Sequence, residues 1–202
     1  LLLRHGQTAL SVDRRYSGRS DPELTELGLA QAAGVAAGIK SVEGVDRVGA
    51  ALTSPLRRAR QTAEPVTAAL GVPLTTHDGL LETDFGDWDG LTFAEARDRD
   101  PELHRSWLGD ETVPPPGGES FADVGQRIGR LRDELVAAYP GQTLLLVSHV
   151  TPIKMLLRMA LGAGSSVLYR LHLDLASLSV AEFYPDGGAS VRLVNGRFPV
   201  SG

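Results

Sequence analysis

The sequence predicts an α/β fold: a three-layer α/β/α sandwich around a mostly parallel sheet with an antiparallel edge. Three observations predict it. Short apolar runs alternate with helical patterns along most of the 202 residues, as in a parallel sheet covered by helices on both faces. The run Thr143–Ser148, TLLLVS, is the most strand-like stretch of the chain. Toward the C-terminal end, Ser177–Tyr184 and Ala189–Val194 flank an Asp186-Gly187-Gly188 turn and read as a hairpin.

The remaining elements follow in order. Leu1–Arg4 reads as a short buried strand. Gln7–Pro22 is polar, contains Gly18 and Pro22, and reads as loop. Thr25 is placed to cap a helix through Leu27, Ala30, Ala33, Ala37 and Ile39. Val48–Thr53 is a second strand. Ser54-Pro55 opens the next helix, with proline near the first helical position where its missing N–H costs nothing. That helix runs to about Leu70, and Val72–Thr76 is a third strand. His77–Gly90 is an acidic loop carrying Glu82, Asp84, Asp87 and Asp89. Phe93–Asp98 and Glu102–Leu108 read as short helices, and the proline-rich stretch Asp110–Gly118 as loop. Ser120, with Asp123 three residues on, caps a long helix over Phe121–Tyr139. Pro152–Leu161 is a helix after TLLLVS. No repeat or linker divides the chain, so residues 1–202 read as one domain. It begins with Leu inside a strand, which points to a piece cut from a longer polypeptide.

Composition narrows the function. Apolar residues are 42% and charged residues 22% of the chain, enough for a real core. A net charge of -5 gives no footprint for nucleic acid, so no nucleic-acid partner is expected. Cysteine is absent, which excludes thiol catalysis, disulfides and cysteine-ligated metal. No apolar run is long enough to span a bilayer and no signal peptide is visible, so no membrane partner and a cytoplasmic location are expected.

Ligands of open parallel sheets sit beyond the carboxyl ends of the strands. Four features converge there. The first strand ends in Arg4-His5-Gly6, the second in Thr53-Ser54 followed by Arg57, Arg58 and Arg60, and TLLLVS in Ser148-His149. The acidic loop supplies Glu82. Singly, each has a bland reading as a solvated or hydrogen-bonded surface group. Together they describe an anion pocket. Arginine forks suit phosphate oxygens, a histidine can attack phosphorus, and a carboxyl can protonate the leaving oxygen. The arginines supply the positive charge, so neither metal nor cofactor is expected. Neither an H-E-x-x-H pattern nor a nucleotide P-loop is present.

These stretches resemble the histidine phosphatase superfamily, in its phosphoglycerate mutase-like branch. LLLRHGQT resembles its Arg-His-Gly signature. SGRSDPELTELGLAQA, TSPLRRARQTAEPV, LLETDFGDWDGLT, PPGGESF and LLLVSHVTPIK resemble its later blocks in the family's order and cover almost the whole chain. The resemblance implies a phosphoglycerate mutase-like fold and a phosphohistidine mechanism. It places the nucleophile at His5, the phosphate cluster at Arg4, Arg58 and His149, and the proton donor and acceptor at Glu82. Arg57 and Arg60 are left peripheral. Thr8, Ser11, Gly18 and Val150 are expected to line the substrate, Val150 through its backbone N–H. Gly6 is expected to let the backbone pass close to phosphate, with the adjoining N–H groups cradling its oxygens. Two departures stand out: Ser11 where many members carry Asn, and Val150 where many carry Gly.

The run SHVTPIKMLLRMAL and LYRLHLDLASLSVAEF further resembles an acid phosphatase domain fused behind an RNase H domain in actinobacterial bifunctional proteins. That implies a covalently attached RNase H partner. The expected reaction is metal-independent acid hydrolysis of small phosphomonoesters, of the α-ribazole 5′-phosphate kind. A phosphoglycerate mutase and a non-catalytic phospholigand-binding module are the alternatives. Trp88, Phe85, Trp107, Phe121 and Tyr169 are candidates for stacking on a substrate ring, with core packing or loop anchoring the expected role of most of them, Trp107 and Tyr169 above all.

Overall fold

The computed structural model describes residues 1–200 of the chain. Six strands form one sheet: β1 (Leu2–Arg4), β2 (Val48–Thr53), β3 (Leu74–Thr76), β4 (Thr143–Ser148), β5 (Leu178–Phe183) and β6 (Ala189–Gly196). Their order across the sheet is β3-β2-β4-β1-β5-β6. The first four are parallel neighbours, and β5 and β6 add the antiparallel edge.

Eight helices accompany them among the described residues. They are α1 (Ala9–Val12), α2 (Glu26–Gly38), α3 (Arg57–Leu70), α4 (Phe93–Arg99), α5 (Pro101–Gly109), α6 (Phe121–Ala138), α7 (Val150–Ala160) and α8 (Val167–Arg170). None is long and apolar enough to cross a membrane.

Side chains alternate across the strands, and the core divides accordingly. Leu1, Leu3, Ala51, Leu145 and Val147 pack with Val35 of α2 and Ala59, Ala63 and Val66 of α3. Leu2, Leu52 and Leu146 pack on the other face with Val124, Ile128 and Leu131 of α6 and Ile153, Leu156 and Leu157 of α7. The sheet is therefore the middle of three layers.

Three local expectations change. The loop over 7–22 contains α1, a single turn closed by a capping box between Thr8 and Ser11. The helix expected from Ser54-Pro55 starts at Arg57, and Leu56 takes the cap position in an extended conformation. The acidic loop holds two single 3₁₀ turns, Asp78–Leu80 and Gly86–Trp88. Thr25 and Ser120 cap α2 and α6 as their spacing predicts.

The aromatic residues mostly build core. Trp88 is fully buried, lies 5.5 Å from Trp107 in edge contact, and donates its indole N–H to Asp100 at 2.7 Å. Phe85, Trp107 and Phe121 are buried in the same cluster. Tyr169 stays outside the core, 51% exposed, with its ring 6.3 Å from that of Phe121 in edge contact.

Candidate active site

Strand register brings the expected groups to one edge. Arg4 is level with Ser148, and Thr53 with Val147. His5 N–H donates to Ser148 O and Ser54 N–H to Val147 O, both at 3.0 Å, carrying the ladder one residue past each strand. His149 follows directly as the N-cap residue of α7. Glu82 arrives from the loop after β3. Its approach is fixed by Ser148 Oγ, which donates to Leu80 O at 2.7 Å, and by Arg127, which donates to Gly79 O and Leu81 O at 2.7 and 2.9 Å.

His5 is 6% exposed. Its Nδ1 lies 2.8 Å from Gly6 O. A carbonyl only accepts, so Nδ1 carries the proton and Nε2 keeps its lone pair. Burial, followed by the charges of Arg4 and Arg58, holds its pKa well below the ordinary histidine value. The ring is neutral, with a nitrogen free to attack.

His149 is fully buried, its ring centroid 5.1 Å from that of His5. Its Nε2 lies 2.8 Å from Ser54 Oγ, while its Nδ1 is buried without a partner. Burial, then Arg58, drives its pKa well below the ordinary value too.

Arg58 is fully buried. It donates through Nη1 to Ser20 O at 2.7 Å and through Nη2 to Ser17 O and Gly18 O at 2.9 and 3.0 Å, and its Nε has no partner. Arg4 donates to Leu173 O and also has an unpartnered Nε. Burial lowers the Arg4 pKa to about 10, against the opposing pull of Glu82 and Asp174, so it stays charged at neutral pH. Among the described residues, neither arginine forms an ion pair with a carboxylate. Two desolvated cations facing two neutral imidazoles suit an anion with several acceptor oxygens.

Glu82 is 6% exposed. Its Oε1 accepts from the N–H groups of Thr83 and Thr151 at 2.8 and 3.3 Å. Thr151 lies in the first turn of α7, so the strand end that carries His149 also orients Glu82.

The secondary candidates sort differently. Ser11 donates its hydroxyl to Thr8 O at 2.7 Å and accepts from Thr8 N–H at 2.9 Å. Thr8 is fully buried and accepts from Ser11 N–H at 3.2 Å, so both side chains serve the α1 cap. Val150 is the first residue of α7, where backbone N–H groups have no intrahelical acceptor. Gly18 meets Arg58 through its carbonyl. A Cβ there would lie 2.5 Å from Thr83 O, which explains the glycine as a close crossing of two loops. Arg57 and Arg60 are exposed, as peripheral residues would be.

The expected role of Gly6 changes. A Cβ on Gly6 would lie 2.7 Å from Gly28 O, and one on Gly28 would lie 2.2 Å from Gln7 O. Glycine is needed here for the approach of α2. The neighbouring N–H groups are also taken: Gly6 N–H donates to Thr62 Oγ1 at 3.0 Å, Gln7 N–H to Gln31 Oε1 at 2.8 Å, and Thr8 N–H to Ser11 Oγ. They are not available to cradle phosphate. Sequence reasoning placed Ser54 at the strand end without assigning it a role, and missed Thr62 and Gln31. Ser54 and Thr62 stand inside the TSPLRRARQTAEPV block, which was the available signal.

Residues 1–196 match the histidine phosphatase superfamily (branch 1). Over 195 residues the chain is 62% identical to a bifunctional protein of Mycobacterium tuberculosis, covering 96% of this chain and 53% of that relative. The chain thus spans about half the length of that relative. Among solved structures, a mycobacterial glucosyl-3-phosphoglycerate phosphatase complexed with VO3 superposes with a TM-score of 0.83 at 32% identity, covering 96% of this chain and 97% of the other. A putative α-ribazole-5′-phosphate phosphatase from Escherichia coli gives 0.83 at 26% identity, with 98% and 95% covered.

Proposed function

The chain belongs to the histidine phosphatase superfamily, and from that premise we propose that it is a metal-independent acid phosphatase acting on small phosphomonoesters. One observation carries the reading: a neutral His5 with a free Nε2 stands beside two buried guanidinium groups that make no ion pair with a carboxylate among the described residues. A phosphate dianion supplies the missing negative charge.

His5 Nε2 attacks phosphorus and forms an N–P bond. The P–O bond to the leaving group breaks, and its electron pair stays on the oxygen. Glu82, in its carboxyl form, gives that oxygen a proton and the alcohol departs. Water then attacks the phosphohistidine, Glu82 takes a proton from the water, and the N–P pair returns to His5. Arg4, Arg58 and His149 hold the phosphoryl oxygens as charge shifts between them. A low pH optimum suits a carboxyl that must donate. The depressed pKa of His5 keeps the nucleophile unprotonated in that range.

The substrate is a small phosphomonoester, with α-ribazole 5′-phosphate and phosphorylated sugar acids as the chemistry suggested by the structural relatives. The high identity to half of a bifunctional protein supports a further, covalently joined activity, which the resemblance at the sequence level assigns to RNase H.

The test is phosphate release from a panel of phosphomonoesters in chelator, between mildly acidic and neutral pH, beside His5→Ala. The expected result is release that survives chelation and disappears in the variant. Release undiminished in His5→Ala overturns the nucleophile assignment. Conversion of phosphoglycerate isomers without net release would make the chain a mutase.

A further inference from the structure

Arg58 owes its position to a loop, and that loop is organised by a carboxylate outside the phosphate cluster. Asp89 accepts four hydrogen bonds from the segment 18–20. Its Oδ1 accepts from Gly18 N–H at 3.1 Å and Ser20 Oγ at 3.0 Å; its Oδ2 accepts from Arg19 N–H and Ser20 N–H at 3.0 and 2.9 Å. The opposite face of the same segment presents the Ser17, Gly18 and Ser20 carbonyls to the Arg58 guanidinium.

Peptide planarity links the two faces. Ser17 C=O and Gly18 N–H belong to one peptide unit, and Gly18 C=O and Arg19 N–H to the next. In a trans unit the N–H and C=O point in opposite directions. Two successive peptide groups therefore stand between carboxylate and guanidinium, each donating to Asp89 and accepting from Arg58. Hydrogen bonds arranged in series polarise one another in a poorly solvated site. Against the burial that lowers its pKa, the Arg58 cation is favoured by the negative charges of Glu82, then Asp21, then Asp89.

A direct ion pair would occupy the arginine's donors with a carboxylate. The relay steadies the charge through backbone and leaves donors free. Guanidinium has five N–H groups. Three contacts go to the loop carbonyls, and the Nε–H has no partner.

We propose that Asp89 is a positioning residue for phosphate recognition, holding the Ser17–Ser20 loop in the shape that aims Arg58 at the phosphoryl group. This rests on the phosphatase reading above. The substitution Asp89→Asn keeps the shape but leaves one acceptor oxygen and puts an NH2 where the other faced an N–H.

The test measures binding of inorganic phosphate by calorimetry, with thermal melts, in wild type, Asp89→Asn, Asp89→Glu, Arg58→Gln and the Asp89→Asn/Arg58→Gln double variant. Steady-state kinetics on an aryl phosphate run in parallel. We expect Asp89→Asn to weaken phosphate binding and kcat/KM by about tenfold or more, the scale of hydrogen bonds to a charged group. In the Arg58→Gln background, we expect the same change to cost less than about twofold, because its route of action is gone. Asp89→Glu is expected to recover part of the loss. Losses from Asp89→Asn and Arg58→Gln that multiply in the double variant would overturn the relay, as would a folded Asp89→Asn that binds phosphate like wild type. If Asp89→Asn does not fold, Ser20→Ala removes one of the four bonds. An unchanged phosphate affinity there, or an equal loss with and without Arg58, counts against the proposal. Wild-type protein that neither binds phosphate nor hydrolyses the ester sinks the phosphatase reading itself, a different outcome from wild-type binding that Asp89→Asn leaves untouched.

Discussion

Two buried neutral histidines make this fold sensitive to acid, and the size of the effect can be worked out. His5 and His149 both have pKa values held well below the ordinary value, first by burial and then by the nearby arginines. In the unfolded chain each returns to about 6.5. Between the folded and unfolded values, the unfolded chain holds a proton that the folded chain lacks. Falling pH therefore favours unfolding, and stability lost below about pH 6.5 returns as pH rises through it. A histidine that stays neutral in the folded state across the window from about pH 7.5 to 5.5 costs on the order of 1 kcal/mol of stability there. The pair costs on the order of 2–3 kcal/mol, a sizeable part of the 5–15 kcal/mol or so that holds a typical domain together.

Urea unfolding at several pH values over that window, in phosphate-free buffer, measures the loss. His104 is shifted in the same direction and adds to the wild-type slope. The informative quantity is therefore a difference between variants that all keep His104. His5→Asn and His149→Asn should each reduce the loss between about pH 7.5 and 5.5 by on the order of 1 kcal/mol relative to wild type. The window stays above the carboxylate range, so Asp and Glu contribute little to it. A wild-type protein with pH-independent stability here, or variants with the wild-type slope, would refute the claim that these histidines are buried in neutral form.

Two further outcomes follow from the same geometry. Thr62→Val should leave Gly6 N–H without its 3.0 Å acceptor beside the nucleophile, and also removes the hydroxyl that donates to Arg58 O at 2.7 Å. The expected cost is about 1–3 kcal/mol in denaturant unfolding, with a lower kcat, and a variant as stable and active as wild type would show the bond to be dispensable. Gly18→Ala should drive a Cβ into Thr83 O at 2.5 Å and Phe85 N at 2.9 Å, both backbone atoms that cannot swing aside. Loop 17–20 must then move away from the Glu82 segment, and phosphate inhibition should weaken as the melting temperature falls. Unchanged inhibition would mean that the loop position does not matter to the site.

The sheet and the central site were legible because the same apolar pattern defines both. Each parallel strand shows as an apolar run, and the abrupt polar residues after it mark the carboxyl edge. His5, Ser54 and His149 occupy those edges by register, so their convergence follows once the strands are placed. The N-caps at Thr25 and Ser120 were legible because capping acts over three residues. The start of α3 was not: Ser54-Pro55 resembles a helix opening, but Ser54 is drawn into the strand ladder and to His149, and helical geometry begins at Arg57. The task of Gly6 was misread because its constraint comes from Gly28 of α2, distant in sequence. Asp89 looked like one carboxylate among several in an acidic loop. Its four partners lie roughly seventy residues earlier, and only the folded chain pairs them.

The site is electrostatically unfinished by itself. Burial removes water from Arg4 and Arg58, and no carboxylate in ion-pair contact takes its place. The neighbouring histidines stay neutral first because they are buried and then because a further positive charge would be costly beside two cations. A bound phosphate dianion works against the second of these causes: it offsets the arginine charges that add to burial in depressing the histidine pKa values. Phosphate binding should therefore raise the folded pKa of His149, whose buried Nδ1 has no partner and can take a proton, and flatten its share of the acid loss of stability described above, while His5 stays neutral to attack. The same coupling serves the chemistry. The nucleophile is unprotonated before phosphate arrives, and His149 becomes a better donor once negative charge is present. Calorimetry of phosphate binding in buffers of different ionisation enthalpy reads this directly as proton uptake near neutral pH. Binding with no proton uptake would mean that His149 ignores the anion, and the electrostatic account of the site would have to be abandoned.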